Sequence, residues 1–282
     1  MRFIMILTDY ENIIKNKKTA QNFMLGLCWK NHQRFCPKCR HRKLYTLASG
    51  RRRCSRCKYT FHDFSQRFIN YSQLSCRQWL RFLKLFELEV SPEQMAKQMN
   101  ISYNTAHKAL IITRLAILAH SQQGSQLIRS LPLLPLLNNR EHQRDQNPVL
   151  GIQETENQVH VECLLQFSLE ELLHLRLDFQ LRSKHFGHII YTDSYKHYSG
   201  LIIYDTGLFD RYKIAHCSSA LFLDHQSHFW HFAYSRLLHF KTLSPLKLLL
   251  YIKELEYRYN QHNEDIFTDI ASRICSFVPS LE

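Results

Sequence analysis

Apolar residues along this chain change their spacing several times, and each change marks an organisational boundary. In residues 1–32, Ile13, Ile14, Phe23, Met24, Leu25 and Leu27 recur among polar positions, which predicts a short helical lead-in. Residues 33–64 lose that period. Lys43–Leu47 reads as a strand, Ser49-Gly50 as a turn, Arg51–Arg53 as the returning strand and Lys58–Phe61 as a third. From 65 to 120 the helical period returns. Gln78–Leu88 places Trp79, Leu80, Phe82, Leu83, Leu85, Phe86 and Leu88 so densely that the helix must pack on more than one side. Ser91-Pro92-Glu93-Gln94 starts a second helix, with Ser91 as N-cap, Pro92 at the first helical position and Gln94 completing a capping box. That helix runs through Met95, Ala96 and Met99 to Asn100, which tolerates the left-handed conformation of a tight turn. Ser102 then caps a third helix, polar at its front (Tyr103, Asn104, Thr105, His107, Lys108) and apolar behind (Leu110, Ile111, Leu115, Ile117, Leu118).

Residues 121–147 read as linker and loop around a Leu/Pro run. Beyond them Val149–Gln153 and Val159–Leu165 are strand-like, Ser168–Leu177 is helical, and Gly187–Asp193 is a short buried strand ending in an acid. Phe229–Phe240 and Leu246–Tyr259 are predicted helices, the latter opened by Pro245. A hairpin, helix, strand and further helices imply an α/β domain around one central sheet. No internal repeat is visible.

The pairs Cys36-Pro37-Lys38-Cys39 and Cys54-Ser55-Arg56-Cys57 fall inside the segment with the weakest apolar pattern. Two Cys-x-x-Cys knuckles at this separation suit tetrahedral Zn²⁺ held by Cys36, Cys39, Cys54 and Cys57, as in a zinc ribbon. The competing reading is free buried thiols or two disulfides. So small a segment cannot bury a core of its own, so the metal supplies its folding energy. Cys28, Cys76, Cys163, Cys217 and Cys275 are scattered and read as small core residues.

Charge sharpens this picture. The chain carries a net +13, but residues 1–120 hold +16 and residues 121–282 hold −3. Arg40, Arg42, Lys43, Arg51, Arg52, Arg53, Arg56 and Lys58 crowd the ribbon, and a phosphate backbone is the partner that such a patch fits. No basic amphipathic helix favours a membrane surface, and neither a signal peptide nor a spanning segment is evident, which places the chain in the cytoplasm. Met95-Ala96, Asn100-Ile101-Ser102 and Thr105-Ala106 have helix-turn-helix spacing, an ordinary helical hairpin being the alternative. DNA contacts are expected from Arg51, Arg52, Arg53 and Arg56 on the ribbon and from Tyr103, Asn104, His107 and Lys108 at the front of the third helix.

Together these features resemble the zinc-ribbon insertion-sequence transposases. The N-terminal likeness rests on Cys36-Pro37-x-Cys39, Arg53-Cys54-x-x-Cys57-x-x-x-Phe61, Trp79 and the helix-turn-helix. The C-terminal likeness rests on Thr192-Asp193-Ser194-Tyr195-x-x-Tyr198, His216, Phe229-Trp230 and Tyr251-x-x-Glu254-x-x-x-Arg258-Tyr259-Asn260. The resemblance implies a multidomain α+β chain: lead-in (1–32), zinc ribbon (33–64), helix-turn-helix (65–120), linker with a degraded first strand (121–147), and an α/β ribonuclease-H-like domain (148–282). It also implies an Asp, Asp, Glu set binding two Mg²⁺ or Mn²⁺ ions for DNA cleavage. Asp193 stands in the second position. The first falls in Gln126–Pro132, within an acid-free span from Gln94 to Arg140, and Ser227 takes the third, with Asp224 where an Asn is expected. Asp193 and Asp224 are therefore the only candidate catalytic carboxylates at motif positions, with Glu154 or Glu162 as outside replacements. The expectation is a transposase-like binder of double-stranded DNA with an incomplete catalytic set. An active enzyme with rearranged carboxylates and a zinc-ribbon transcriptional regulator are the alternatives, and a homo-oligomer on DNA is left open.

Overall fold

The structure, a computed structural model, describes residues 7–130, 149–155, 158–164, 200–204, 212–215, 228–237, 244–261 and 265–279. The chain divides into two compact units, Met1–Arg140 together with Asn263–Glu282, and Glu141–His262. The expected last domain ran to 282. Its final stretch instead belongs with the N-terminal unit.

That unit opens with α1 (Leu7–Ile14) and α2 (Lys17–Cys28), the second held by a capping box between Asn16 and Thr19. Strands β1 (Leu44–Thr46), β2 (Arg52–Cys54) and β3 (Thr60–Phe61) form an antiparallel sheet in sequence order. Gly50, at φ 75°, makes the turn between the first two, where an L side chain would be strained. Helices α3 (Cys76–Glu87), α4 (Pro92–Met99) and α5 (Tyr103–Ala119) follow. The expected capping box at Ser91 is one-way: its hydroxyl accepts from the Gln94 N–H. The reciprocal pair is instead at Ser75 and Gln78, where the Ser75 N–H reaches Gln78 Oε1 at 2.9 Å and the Gln78 N–H reaches Ser75 Oγ at 3.3 Å. Asn100 takes the left-handed conformation at φ 53°, and the Ser102 hydroxyl accepts from Thr105 N–H, so the turn between α4 and α5 forms as its residues dictate. Behind its first turn α5 is buried along most of its length, from Ala106 to Leu118, and forms the axis of the unit.

Two departures from the sequence reading occur here. Residues Gly124–Ser130 are a helix, α6, where a degraded first strand was expected, and Leu127 and Ile128 on it are buried. A Cβ on Gly124 would stand 2.0 Å from the Leu118 carbonyl oxygen, so this glycine permits close approach to the end of α5. Secondly, α9 (Ile266–Ile274) packs on α2, α3 and α5, and residues 276–278 lie beside residues 66–68. Phe68 N–H donates to Ser276 O at 3.4 Å and Val278 N–H to Gln66 O at 2.9 Å, a short antiparallel bridge.

In the second unit β4 (Val149–Glu154), β5 (Val159–Leu164), β6 (Gly200–Tyr204) and β7 (Tyr212–Ala215) form a sheet ordered β5-β4-β6-β7. Every pairing is antiparallel, so the described strands make an α+β rather than an α/β arrangement. β6 and β7 were not foreseen. The expected helix at 168–177 and strand at 187–193 lie outside the described residues. Helices α7 (His228–Leu237) and α8 (Pro245–Asn260) complete the unit.

Among the described strands β5 stands at one edge of the sheet, and α8 packs against it. Asn260 Oδ1 accepts from Val159 N–H at 2.9 Å while its Nδ2 donates to Val159 O at 2.8 Å, so the carboxamide pairs with this backbone as a strand would. Lys253 Nζ donates to Val161 O and pairs with Glu256 at 2.7 Å. Glu254 and Arg258, both buried, pair at 2.8 Å one turn apart. Within the Glu254-x-x-x-Arg258-Tyr259-Asn260 string, Asn260 thus fastens α8 to β5, while Glu254 and Arg258 pair along the helix. Among the described residues no helix is long and apolar enough to cross a membrane.

Candidate metal centre

The two knuckles are built alike. After Cys36 the chain turns through Arg40 at φ 59°, whose N–H donates to Cys36 O at 2.8 Å; after Cys54 it turns through Lys58 at φ 59°, whose N–H donates to Cys54 O at 3.2 Å. Each first cysteine also donates its backbone N–H back across the turn, Cys36 to His41 O at 2.9 Å and Cys54 to Tyr59 O at 3.0 Å. Left-handed Arg and Lys each cost about 1 kcal/mol, and two such turns in one small module indicate that something else over-determines them.

That something is a four-thiol cluster. The sulfurs of Cys36, Cys39, Cys54 and Cys57 all lie within 4.8 Å of one another, with Cys36–Cys57 and Cys39–Cys54 at 3.5 Å. Zn–S bonds of about 2.3 Å in a tetrahedron place sulfurs about 3.8 Å apart, so the donor set fits structural Zn²⁺. The four are free thiols, not the two disulfides of the competing reading. Burial pushes the Cys36 thiol up to about 12, against hydrogen bonds from the backbone of Cys39 and Lys38. Burial also opposes ionisation of Cys54, yet backbone N–H groups of Cys57 and Arg56 bring it down to about 6. Four sulfurs this close cannot all ionise without a cation among them. Around them the buried core is only Cys36, Cys54 and Phe61, with Leu44 and Tyr59 packed against it. It is too small to fold unaided.

Residues 15–60 match the family model of the transposase zinc-ribbon domain. No curated protein and no solved structure matches the chain. The matched domain begins before α2, and the structure gives that helix a reason to belong: Trp29, following it, donates its indole N–H to Asp63 O at 3.1 Å.

Alternation on β2 divides the arginine run of this ribbon. Arg52 pairs with Thr46 and Phe61, and its guanidinium reaches Asp63 Oδ1 at 2.8 Å and Thr46 Oγ1 at 3.4 Å. Asp63 also accepts from Arg34 at 3.1 Å. Although burial alone would raise the Asp63 carboxyl, these two arginines hold it below its ordinary range. Arg52 therefore braces the ribbon. Arg53 lies opposite Tyr45 on the other face, and Arg51, Arg53, Arg56 and Tyr45 are exposed. Of the α5 candidates, Tyr103 and Asn104 are exposed while His107 and Lys108 are half-buried, with the Tyr103 and His107 rings stacked 5.8 Å apart.

Asp193 and Asp224 lie outside the described residues. Glu154, weighed as a substitute carboxylate, accepts from the Phe229 N–H at 3.1 Å at the start of α7 and from the Tyr259 hydroxyl, so it serves as a helix cap. The four cysteines are the only metal-ligating cluster among the described residues.

Sequence reasoning missed Arg67. It is buried, with its guanidinium 4.5 Å from the Trp29 ring and 3.9 Å from the Phe277 ring, and it donates to Cys28 O at 2.7 Å and to Cys275 O. Arg40, the turn residue of the first knuckle, stacks on the Phe35 and Phe277 rings at 5.0 Å. The ribbon therefore rests on the C-terminal segment. Only the cluster of Arg40 and Arg67 with aromatics far away in sequence could have signalled this.

Proposed function

We propose that this chain is a transposase-like protein whose N-terminal unit binds double-stranded DNA. The observation that carries the reading is the transposase zinc-ribbon match on a ribbon that exposes Arg51, Arg53 and Arg56, with Arg53 opposite an exposed Tyr45. Zn²⁺ holds the knuckles and so fixes the strands that aim these cations; it takes no part in chemistry. The α4–α5 pair acts as a helix-turn-helix, with Tyr103, Asn104, His107 and Lys108 entering a groove and the ribbon gripping phosphates. The 148–262 region is a ribonuclease-H-like domain by descent. Its carboxylates, Asp193 and Asp224 with serine at position 227, form an incomplete set for two-metal cleavage, so binding outlasts catalysis.

Anisotropy of a labelled duplex, titrated across salt concentrations, tests this. Each lost phosphate contact lowers the slope of log K against log salt by about 0.9, so Arg51→Ala with Arg53→Ala should lower it by about 2. A slope unchanged by both substitutions would remove the ribbon from the interface.

A further inference from the structure

Two cysteines outside the metal centre meet from opposite ends of the chain. Cys28 ends α2 and Cys275 follows α9, and both are buried. One rigid guanidinium fork, that of Arg67, binds both of their backbone carbonyls and so holds the two segments side by side. The Cys275 thiol donates to Met24 O at 3.5 Å, one turn before Cys28 on the same helix. Both residues line a cavity of about 410 Å³ whose other walls include Lys30, Arg34, Arg42 and His120, with no carboxylate. The cavity therefore gives a small oxidant access to two cysteines whose backbones Arg67 holds side by side.

We propose that Cys28 and Cys275 are a peroxide-reactive dithiol that closes to a disulfide, tying the C-terminal segment to α2 beneath the ribbon. The neighbouring Cys275 thiol, helped by the Arg67 charge, holds the Cys28 thiol below its ordinary pKa against the effect of burial, whereas the Cys28 thiol and burial push Cys275 well up, so Cys28 attacks first. Its thiolate sulfur takes one peroxide oxygen, the O–O bond breaks, and the departing hydroxide leaves as water after taking up a proton. Cys28 is then a sulfenic acid. The Cys275 sulfur attacks it, the S–S bond forms, the S–O bond breaks, and hydroxide leaves with the Cys275 proton as a second water. Two thiols lose two electrons and one hydrogen peroxide gains them.

The test uses the full-length zinc-loaded protein with about one equivalent of hydrogen peroxide, followed by alkylation and non-reducing peptide mapping. Free zinc is followed in parallel with a chromophoric chelator. The expected result is the loss of two free thiols per chain, both recovered in one Cys28–Cys275 linked peptide, with zinc retained and the thiols restored by dithiothreitol. In Cys275→Ser, Cys28 should be trapped by dimedone as its sulfenic acid. Oxidation that falls first on the ribbon cysteines with zinc release, or a linkage of Cys28 to Cys76, would overturn the proposal. The wild-type map decides this even if the variant misfolds, and none of its outcomes depends on DNA binding.

Discussion

Replacing Arg67 by lysine tests how the N-terminal unit is held together. Lysine keeps the positive charge but loses the planar fork. A single ammonium can keep one of the two carbonyls, Cys28 O or Cys275 O, and leaves the other buried without a donor. A hydrogen bond to a charged group contributes about 1.5–3 kcal/mol. Loss of stacking on the Trp29 and Phe277 rings, now 4.5 and 3.9 Å from the guanidinium carbon, adds about 1 kcal/mol. Arg67→Lys should therefore destabilise the unit by about 3 kcal/mol. With a urea slope of about 2 kcal/mol per molar, the midpoint falls by about 1.5 M. Tryptophan fluorescence follows it, because Trp29 lies in the affected cluster. A midpoint within about 0.3 M of the wild type would mean that the fork does not hold the C-terminal segment in place.

Three other outcomes follow from the same contacts. Gly124→Ala drives a methyl against the Leu118 and Ala119 backbone, which cannot swing aside, and should cost about 2 kcal/mol, visible as a melting temperature several degrees lower. Asp63 has a depressed carboxyl pKa in the folded state. Its stabilisation is present above the ordinary carboxylate range and is lost as pH falls through the depressed value, so Asp63→Asn should lower stability at neutral pH and flatten the acid limb of a stability–pH profile. An unchanged acid limb would show that the Arg34 and Arg52 pairing contributes nothing. For catalysis, supercoiled plasmid incubated with Mg²⁺ or Mn²⁺ should be nicked no faster by the wild type than by Asp193→Ala; nicking that vanishes in the variant would require a working metal site.

What could be read from the sequence was local. Cys-x-x-Cys spacing, Gly50 in a turn, Ser91 before Pro92 and Asn100 before Ser102 each fix a neighbour within a few residues, and each appears in the structure as expected. Long-range pairing was not legible. Nothing in the string Gln66-Arg67-Phe68 tells that it pairs with residues 276–278, and the C-terminal segment looks like a tail until Phe277 is seen against Arg40 and Arg67. Gly124 and its neighbours read as linker because their polarity hides the two buried residues, Leu127 and Ile128, that make a helix of them. The arginine run shows the same limit: sequence weights Arg51, Arg52 and Arg53 equally, and only β pairing reveals that Arg52 faces Asp63.

The proposed function requires that zinc at Cys36, Cys39, Cys54 and Cys57 organise a surface that binds DNA. The most direct measurement is duplex binding by anisotropy on one sample, first as purified, then after chelation, then after zinc is restored. Binding that is lost on chelation and regained with Zn²⁺, with Cys54→Ser failing to recover, is the predicted result. DNA affinity that survives removal of the metal would contradict the claim.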